Sequence, residues 1–166
     1  MPHDPSGPPT LPRSQWRTHA RFPRQTLLLQ GHASFRRTSQ ALIDSAARGA
    51  SGSSIGWMFR AWKGAMHSHE HYEESKLYPY LEARWGLSMA PAQAGHELLS
   101  EREADVLANL RTESLEHALR AHDAVLQAHL DLEEELVIPA LLALEPHEFE
   151  DYIHSDIRGL LQRMAG

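Results

Sequence analysis

The sequence predicts an all-α protein: an up-down-up-down four-helix bundle with a short extra C-terminal helix and a disordered N-terminal tail. Three observations carry this expectation. Apolar residues recur at intervals of three and four along four long segments. No segment alternates β-branched and polar residues with the two-residue period of a strand. Gly, Ser or Pro punctuates the boundaries, as in RGASGSSIG at 48–56, Gly86 and Pro91. Long helices with one apolar stripe and short connections pack antiparallel around a shared core.

Taken in order, residues 1–22 carry Pro2, Pro5, Pro8, Pro9 and Pro12 among small polar residues, a composition that reads as a mobile tail or a strap over the domain formed by residues 23–166. The first helix spans about Gln25 to Ala47, with Leu28, His32, Phe35, Leu42 and Ala46 in its stripe. A flexible Gly/Ser connector follows at 48–56. The second helix, about Trp57 to Trp85, places Phe59, Trp62, Met66, His69, Glu73, Leu77 and Tyr80 on one face. The third, about Pro91 to Leu110, turns Ala92, His96, Leu99, Glu103, Val106 and Leu110 inward. Ser114 can cap the fourth, which runs to about Leu144 with Leu115, His122, Val125, His129, Glu133, Leu136 and Ala140 in its stripe. A fifth segment, about His147 to Met164, packs Phe149, Ile153, Ile157 and Leu160 on the rest.

Composition narrows the function classes. A chain of 166 residues fits one domain. With 22 acids against 16 bases and a formal net charge of −6, no nucleic-acid surface is expected, and the basic stretches RFPRQ (21–25) and FRR (35–37) are too short to reverse that. No apolar run reaches membrane-span length, and the N-terminus lacks the apolar stretch of a signal peptide, so a cytoplasmic protein without membrane association is expected, as monomer or homodimer. There is no cysteine, which excludes disulfides, iron–sulfur ligation and thiolate zinc sites. Histidine is the anomaly, with 12 in the chain against 4 each of Trp, Tyr and Phe.

Those histidines fall in a repeat. His69 and Glu73 in HSHEHYEESKLYPYL recur sixty positions later as His129 and Glu133 in QAHLDLEEELVIPAL, followed at equal distance by Pro79 and Pro139, which should kink or end their helices. His32 and His96, each preceded by glycine (Gly31, Gly95), stand one helix earlier in each half. Residues four apart share a helix face, so each copy aims an imidazole and a carboxylate at one point. Burying four imidazoles and two carboxylates without partners would cost several kcal/mol. Coordination to metal satisfies all six together, and His–Glu hydrogen bonding within the core is the alternative. Nitrogen and carboxylate oxygen without sulfur suit iron, manganese or zinc, iron being favoured, and two bridging Glu suit a pair of ions about 3.5 to 4 Å apart.

Around the six, other residues are candidates for lesser roles. Glu70 adjoins His69 as an alternative ligand or proton-moving base. Glu74 and Glu134 lie about 140° off the ligand direction, and His67 and His71 point about 160° away from His69. His122 shares the His129 face but stands about 10 Å from it along the axis, where it could line a substrate or proton channel. Glu103 could orient His96, and Tyr72 and Tyr78 could reach the cavity. HEHYE is not the zinc-protease HExxH, and no phosphate-binding glycine loop or nucleophilic triad is present.

The isolated histidines, the HxxxE pairs each with a second Glu (Glu74, Glu134), and the LYPYL and VIPAL that follow resemble the hemerythrin-like family, or HHE cation-binding domain, over about residues 25 to 145. The resemblance implies a four-helix bundle with a non-heme di-iron centre that reacts with dioxygen or peroxides. It implies His32, His69, Glu73, His96, His129 and Glu133 as ligands to two iron ions, with Glu73 and Glu133 as bridges. Ferritin-like bundles carry Glu-x-x-His instead. Dioxygen carriers of the family place another histidine one turn after the third-helix histidine, where this chain has Ser100, and an Asp five residues after the last-helix histidine, where it has Glu134. The expected ligand is dioxygen, peroxide or nitric oxide, in a binding or sensing protein; a di-iron oxidase or peroxide-decomposing enzyme with Glu70 or His122 moving protons, and an iron store, are the alternatives.

Overall fold

The computed structural model describes residues 7–166, and every regular element among them is helical. The chain opens with one turn, α1 (Arg13–Trp16), and a 3₁₀ turn (Arg24–Thr26). Four long stretches follow: α2 (Leu28–Ala47); α3 (Gly52–Tyr72), which passes through a π-helical turn (Glu73–Leu77) into α4 (Tyr78–Trp85); α5 (Ala90–Ala108); and α6 (Leu115–Leu142). Two short helices close the chain, α7 (Pro146–His154) and α8 (Ile157–Ala165). α2 packs on α3 and α6, α5 packs on α6 and α3, and α4 rests on α6 and α8. None of the described helices is long and apolar enough to cross a membrane.

Local chemistry sets the boundaries. The Ser51 hydroxyl accepts from the Ser54 backbone N–H at 3.2 Å and starts α3 at Gly52. Half of the expected flexible connector is therefore helical, and Ile55 within it is fully buried. Gly86 adopts φ 65°, the left-handed conformation that ends a helix at least cost, and its N–H returns to the Glu82 carbonyl at 2.9 Å. Pro79 has no N–H, and just before it the Tyr78 N–H reaches back five residues to the Glu73 carbonyl. The disturbance expected of this proline thus takes the form of one widened turn beginning at Glu73. α6 instead continues through Pro139 to Leu142. Ser114 precedes α6 without a side-chain capping bond.

The fifth segment is two helices rather than one. Glu145 and Glu148 form a reciprocal capping box on α7, and the Asp156 carboxylate accepts from Gly159 N–H at 3.1 Å to start α8. Tyr152 is buried where Ile153 was expected, and Ile153 is exposed.

The N-terminal segment corrects the expectation of disorder, as far as it is described; residues 1–6 of the expected tail lie outside the described residues. Trp16 packs on Ile138 and Leu142 and donates from Nε1 to the Leu11 carbonyl at 2.9 Å. Burying such a side chain contributes about 2–3 kcal/mol. Arg21 donates to the carbonyls of Leu142 and Leu144, at 3.1 and 2.5 Å, and Gln25 to that of Leu141 at 2.6 Å. The segment thereby binds carbonyls at and just beyond the end of α6, where the helical ladder runs out. It is a strap, with prolines stiffening its approach.

Apolar packing falls into two main clusters. One gathers Leu42, Ile43, Ile55, Phe59, Trp62, Met66, Leu99, Val106, Leu126 and Leu130; the other gathers Leu77, Tyr80, Leu81, Met89, Ala92, Val137, Leu141 and Leu144. Along α3 and its π turn the polar residues His69 and Glu73 come between Met66 and Leu77. On α5, His96 comes between Ala92 and Leu99, and on α6, Glu133 comes between Leu130 and Val137. The sequence repeat thus becomes a polar layer between two apolar ones.

Candidate metal centre

Glu73, at the start of the π turn, and Glu133, on α6, are both fully buried and lie at the middle of this layer. Glu73 Oε1 is 2.5 Å from His69 Nε2 and 3.6 Å from His32 Nε2, while its other oxygen, Oε2, is 3.3 Å from His96 Nε2. Glu133 Oε2 is 3.5 Å from His32 Nε2 and 3.7 Å from His129 Nε2. Each carboxylate therefore stands between a histidine pair from α2 and α3, His32 and His69, and a pair from α5 and α6, His96 and His129. Ligand atoms of His32, His69, Glu73 and Glu133 all lie within 4.8 Å of one another, a group that could hold a metal ion.

Hydrogen bonding does not satisfy this cluster. Both oxygens of Glu73, Oε2 of Glu133 and both ring nitrogens of His129 are buried without a hydrogen-bond partner. Orphaned acceptors that converge from four directions are expensive unless a cation joins them. The donor set therefore fits a metal, and the nitrogen and carboxylate character suits iron, manganese or zinc. The alternative of a core satisfied by His–Glu hydrogen bonds leaves these five atoms unexplained.

Charge is correspondingly concentrated. Burial opposes ionisation of Glu73, but the close imidazoles of His32, His69 and His96 outweigh it and hold its carboxyl far below the usual range. Burial and the neighbouring Glu73 charge push Glu133 up to about 8. Burial lowers His32, yet the Glu134 and Glu73 carboxylates outweigh it and raise it to about 9; His96 is raised to about 9 in the same way by Glu73 and Glu74. His129 has no such partner, and burial pushes it down to about 4. A cation entering the cluster displaces protons that these groups otherwise share.

Glu74 and Glu134, which follow the central carboxylates in each half of the repeat, have matched roles outside the cluster. Glu74 Oε1 is 2.6 Å from His96 Nδ1, and Glu134 Oε1 is 3.0 Å from His32 Nδ1. A carboxylate on Nδ1 fixes the tautomer that leaves Nε2 free toward the centre. The two are unequal in surroundings: the Glu74 side chain is 47% exposed, whereas Glu134 is 2% exposed and accepts from Arg36 at 2.5 Å and Arg13 at 2.6 Å. Against its burial, His32 and those two arginines hold Glu134 down at about 2.

No family model, curated protein or solved structure matches this chain.

The remaining candidates separate clearly. Tyr78 donates from its hydroxyl to Glu133 Oε1 at 2.6 Å and stacks on His96. Tyr72 turns away from the cluster to the Tyr152 hydroxyl. Glu103 is fully buried but bonds His67 Nε2 at 2.9 Å, with Lys63 Nζ at 3.4 Å, rather than orienting His96. His67 is thus paired, while His71 is exposed. Glu70 is partly buried with Oε1 unpartnered, and burial pushes it up to about 7. His122 lies outside the layer, boxed by the rings of Phe59 at 5.3 Å and Trp62 at 4.8 Å, and burial lowers it to about 4. Ser100 is exposed and supplies nothing to the cluster.

Gly95 and a side opening complete the site. The His129 ring lies against the α5 backbone at Gly95. A cavity of about 270 Å³ reaches His69 from outside, between Leu28 and Gly31 of α2 and the Tyr72–Tyr152 pair.

Proposed function

We propose that this chain is a hemerythrin-like, up-down-up-down four-helix bundle whose polar layer holds two iron ions between His32, His69, His96, His129, Glu73 and Glu133, and that it binds or reacts with dioxygen, peroxide or nitric oxide. The observation that carries the reading is the placement of two fully buried carboxylates, each between histidines of both halves, with three of their four oxygens unpartnered. Bound iron would supply one-electron redox chemistry toward such ligands.

The chain's own residues define what surrounds that chemistry. Glu74 and Glu134 orient the His96 and His32 rings through Nδ1, and Tyr78 fixes Glu133 through Oε1, leaving Oε2 toward the centre. The cavity beside His69 is large enough for a diatomic molecule or peroxide and is walled mainly by apolar side chains, so it limits water at the cluster. Ser100, where carriers of the resembled family have a further histidine, leaves the α5 side with fewer strong donors, which favours reaction over reversible carriage.

Metal analysis of the purified protein, with optical spectra before and after anaerobic reduction and re-exposure to air, tests the reading. About two irons per chain and ferric absorption that bleaches and returns are expected. One zinc per chain, or no metal, overturns it. Steady consumption of dioxygen or peroxide over many turnovers separates an enzyme from a binding or sensing protein.

A further inference from the structure

Apart from the opening beside His69, residues of α1, α2 and α6 line a second concavity, a groove of about 930 Å³ whose walls carry Arg13, Arg17, Arg36 and Arg37 against one acid, Glu134. In a chain with a formal net charge of −6, this is a local reversal of sign. Arg36 and Arg37 belong to the short FRR stretch, and Phe22 of RFPRQ contributes to the same walls. The FRR stretch thus brings its two arginines to this concavity, whereas Arg21 and Arg24 of RFPRQ are engaged elsewhere, with the Leu142 and Leu144 carbonyls and with Glu150.

The four guanidinium groups divide in two. Arg13 and Arg36 are engaged with Glu134, and Arg36 also with Asp131 at 2.8 Å and Gln127 at 3.0 Å. Arg17 and Arg37 are exposed, and neither makes an ion pair or side-chain hydrogen bond among the described residues. Concentrating cations around one cleft is unfavourable by itself and focuses a positive potential into it. Guanidinium forks match phosphate and carboxylate oxygens two at a time. Beside them Trp16, Phe22, Leu29 and Ala33 give the groove an apolar wall. Its volume falls within the roughly 300–1,000 Å³ of small-molecule sites, and four arginines in one cleft make a much shorter cationic track than binding a nucleic-acid strand requires.

We propose that this groove binds a small organic anion carrying two or more negative charges, as phosphate or carboxylate, on an apolar or aromatic body. The charged end pairs with Arg17 and Arg37, and the body lies along the Phe22 and Leu29 wall. The assignment does not depend on whether the polar layer holds a metal, because every residue it uses lies outside the cluster, Glu134 touching it only through His32.

Calorimetric titration of the full chain with adenosine monophosphate, isophthalate, inorganic phosphate and adenosine tests the site, in low salt and again at physiological ionic strength. Adenosine monophosphate or isophthalate should bind at least tenfold more tightly than inorganic phosphate, with adenosine silent, and affinity should fall as salt rises. Whichever of the two binds better assigns phosphate or carboxylate. R17Q/R37Q should weaken binding at least tenfold with an unchanged melting temperature; if the double variant melts early, R37Q alone gives the same reading. The proposal is overturned if neither organic anion binds more tightly than inorganic phosphate, if the variants keep full affinity, or if a single-stranded oligonucleotide binds while both monomeric anions do not.

Discussion

Gly95 lets the His129 imidazole lie against the backbone of α5. A Cβ at position 95 would overlap His129 Nδ1, closer than such atoms approach in folded proteins, and would stand a tight 3.0 Å from Cγ. The glycine is required by close approach, since its backbone is ordinary helix.

Gly95→Ala should therefore push His129 out of place, destabilise the protein by about 1–3 kcal/mol as overpacking does, and reduce bound metal. The matched substitution Gly31→Ala meets only His69 Cε1, at 3.9 Å, an ordinary contact. It should keep its metal and gain up to about 1 kcal/mol of helix propensity. Thermal melting with metal content per chain checks both, and equal behaviour of the two variants would contradict the contact.

His69→Ala and His129→Ala each remove a candidate ligand and should lower metal content. A chelator should lower the melting temperature of the parent protein, because an ion bound only by the folded state stabilises it by mass action, about 4 kcal/mol at a thousandfold excess over Kd. The chelator effect should shrink in both variants. Unchanged metal and melting in both would refute the ligand assignment.

Glu74 and Glu134 hold equivalent imidazoles in unequal surroundings, so their removal should agree in one readout and differ in another. Glu74→Ala and Glu134→Ala should each weaken metal binding by about 10- to 100-fold. Only Glu134→Ala, which removes the buried acceptor that Arg36 and Arg13 share, should also cost about 1–3 kcal/mol in denaturant unfolding. Glu74 is half exposed, and its loss should stay within about 0.5 kcal/mol.

His122 gives a pH dependence away from the cluster. Burial between Phe59 and Trp62 lowers its pKa from 6.5 to about 4, so on acidification the unfolded chain takes up a proton before the folded one does. Its contribution to stability is complete above about pH 6.5 and is lost as pH falls toward 4. Between pH 7.5 and pH 5 the loss is about 2 kcal/mol. His122→Leu should remove this part of the acid sensitivity, seen as a smaller difference between urea midpoints at the two pH values.

The histidine–glutamate repeat could be read in the sequence because four-residue spacing on a helix maps directly onto one face, and His32, His69, Glu73, His96, His129 and Glu133 do meet around two carboxylates. Helix interiors were legible for the same reason: the stripe from Ala92 through Val106 is buried as expected. Glu134 reads as lying about 140° off the ligand direction, and its task was not visible, since its partner His32 belongs to α2 and the pairing depends on how two helices pack. Glu103 was correctly turned inward, but its partner is His67, one helix away from the expected one. The start of α3 was missed because glycine and serine argued for a loop where the Ser51 cap and buried Ile55 decide for helix. Around Trp16 the prolines spoke for disorder, and the two aromatics of the segment, Trp16 and Phe22, were the contrary signal.

The polar layer also has a mechanical meaning. Two apolar clusters lie on either side of a plane of imidazoles and carboxylates, so the main cohesive contacts of each cluster lie on its own side of that plane. Such an arrangement should behave as two folding units with a seam between them. With the seam closed, amide exchange in α6 should slow together from Leu119 to Leu141; with metal removed, the halves should open as separate units, and the helices that thread both would report the joint between them.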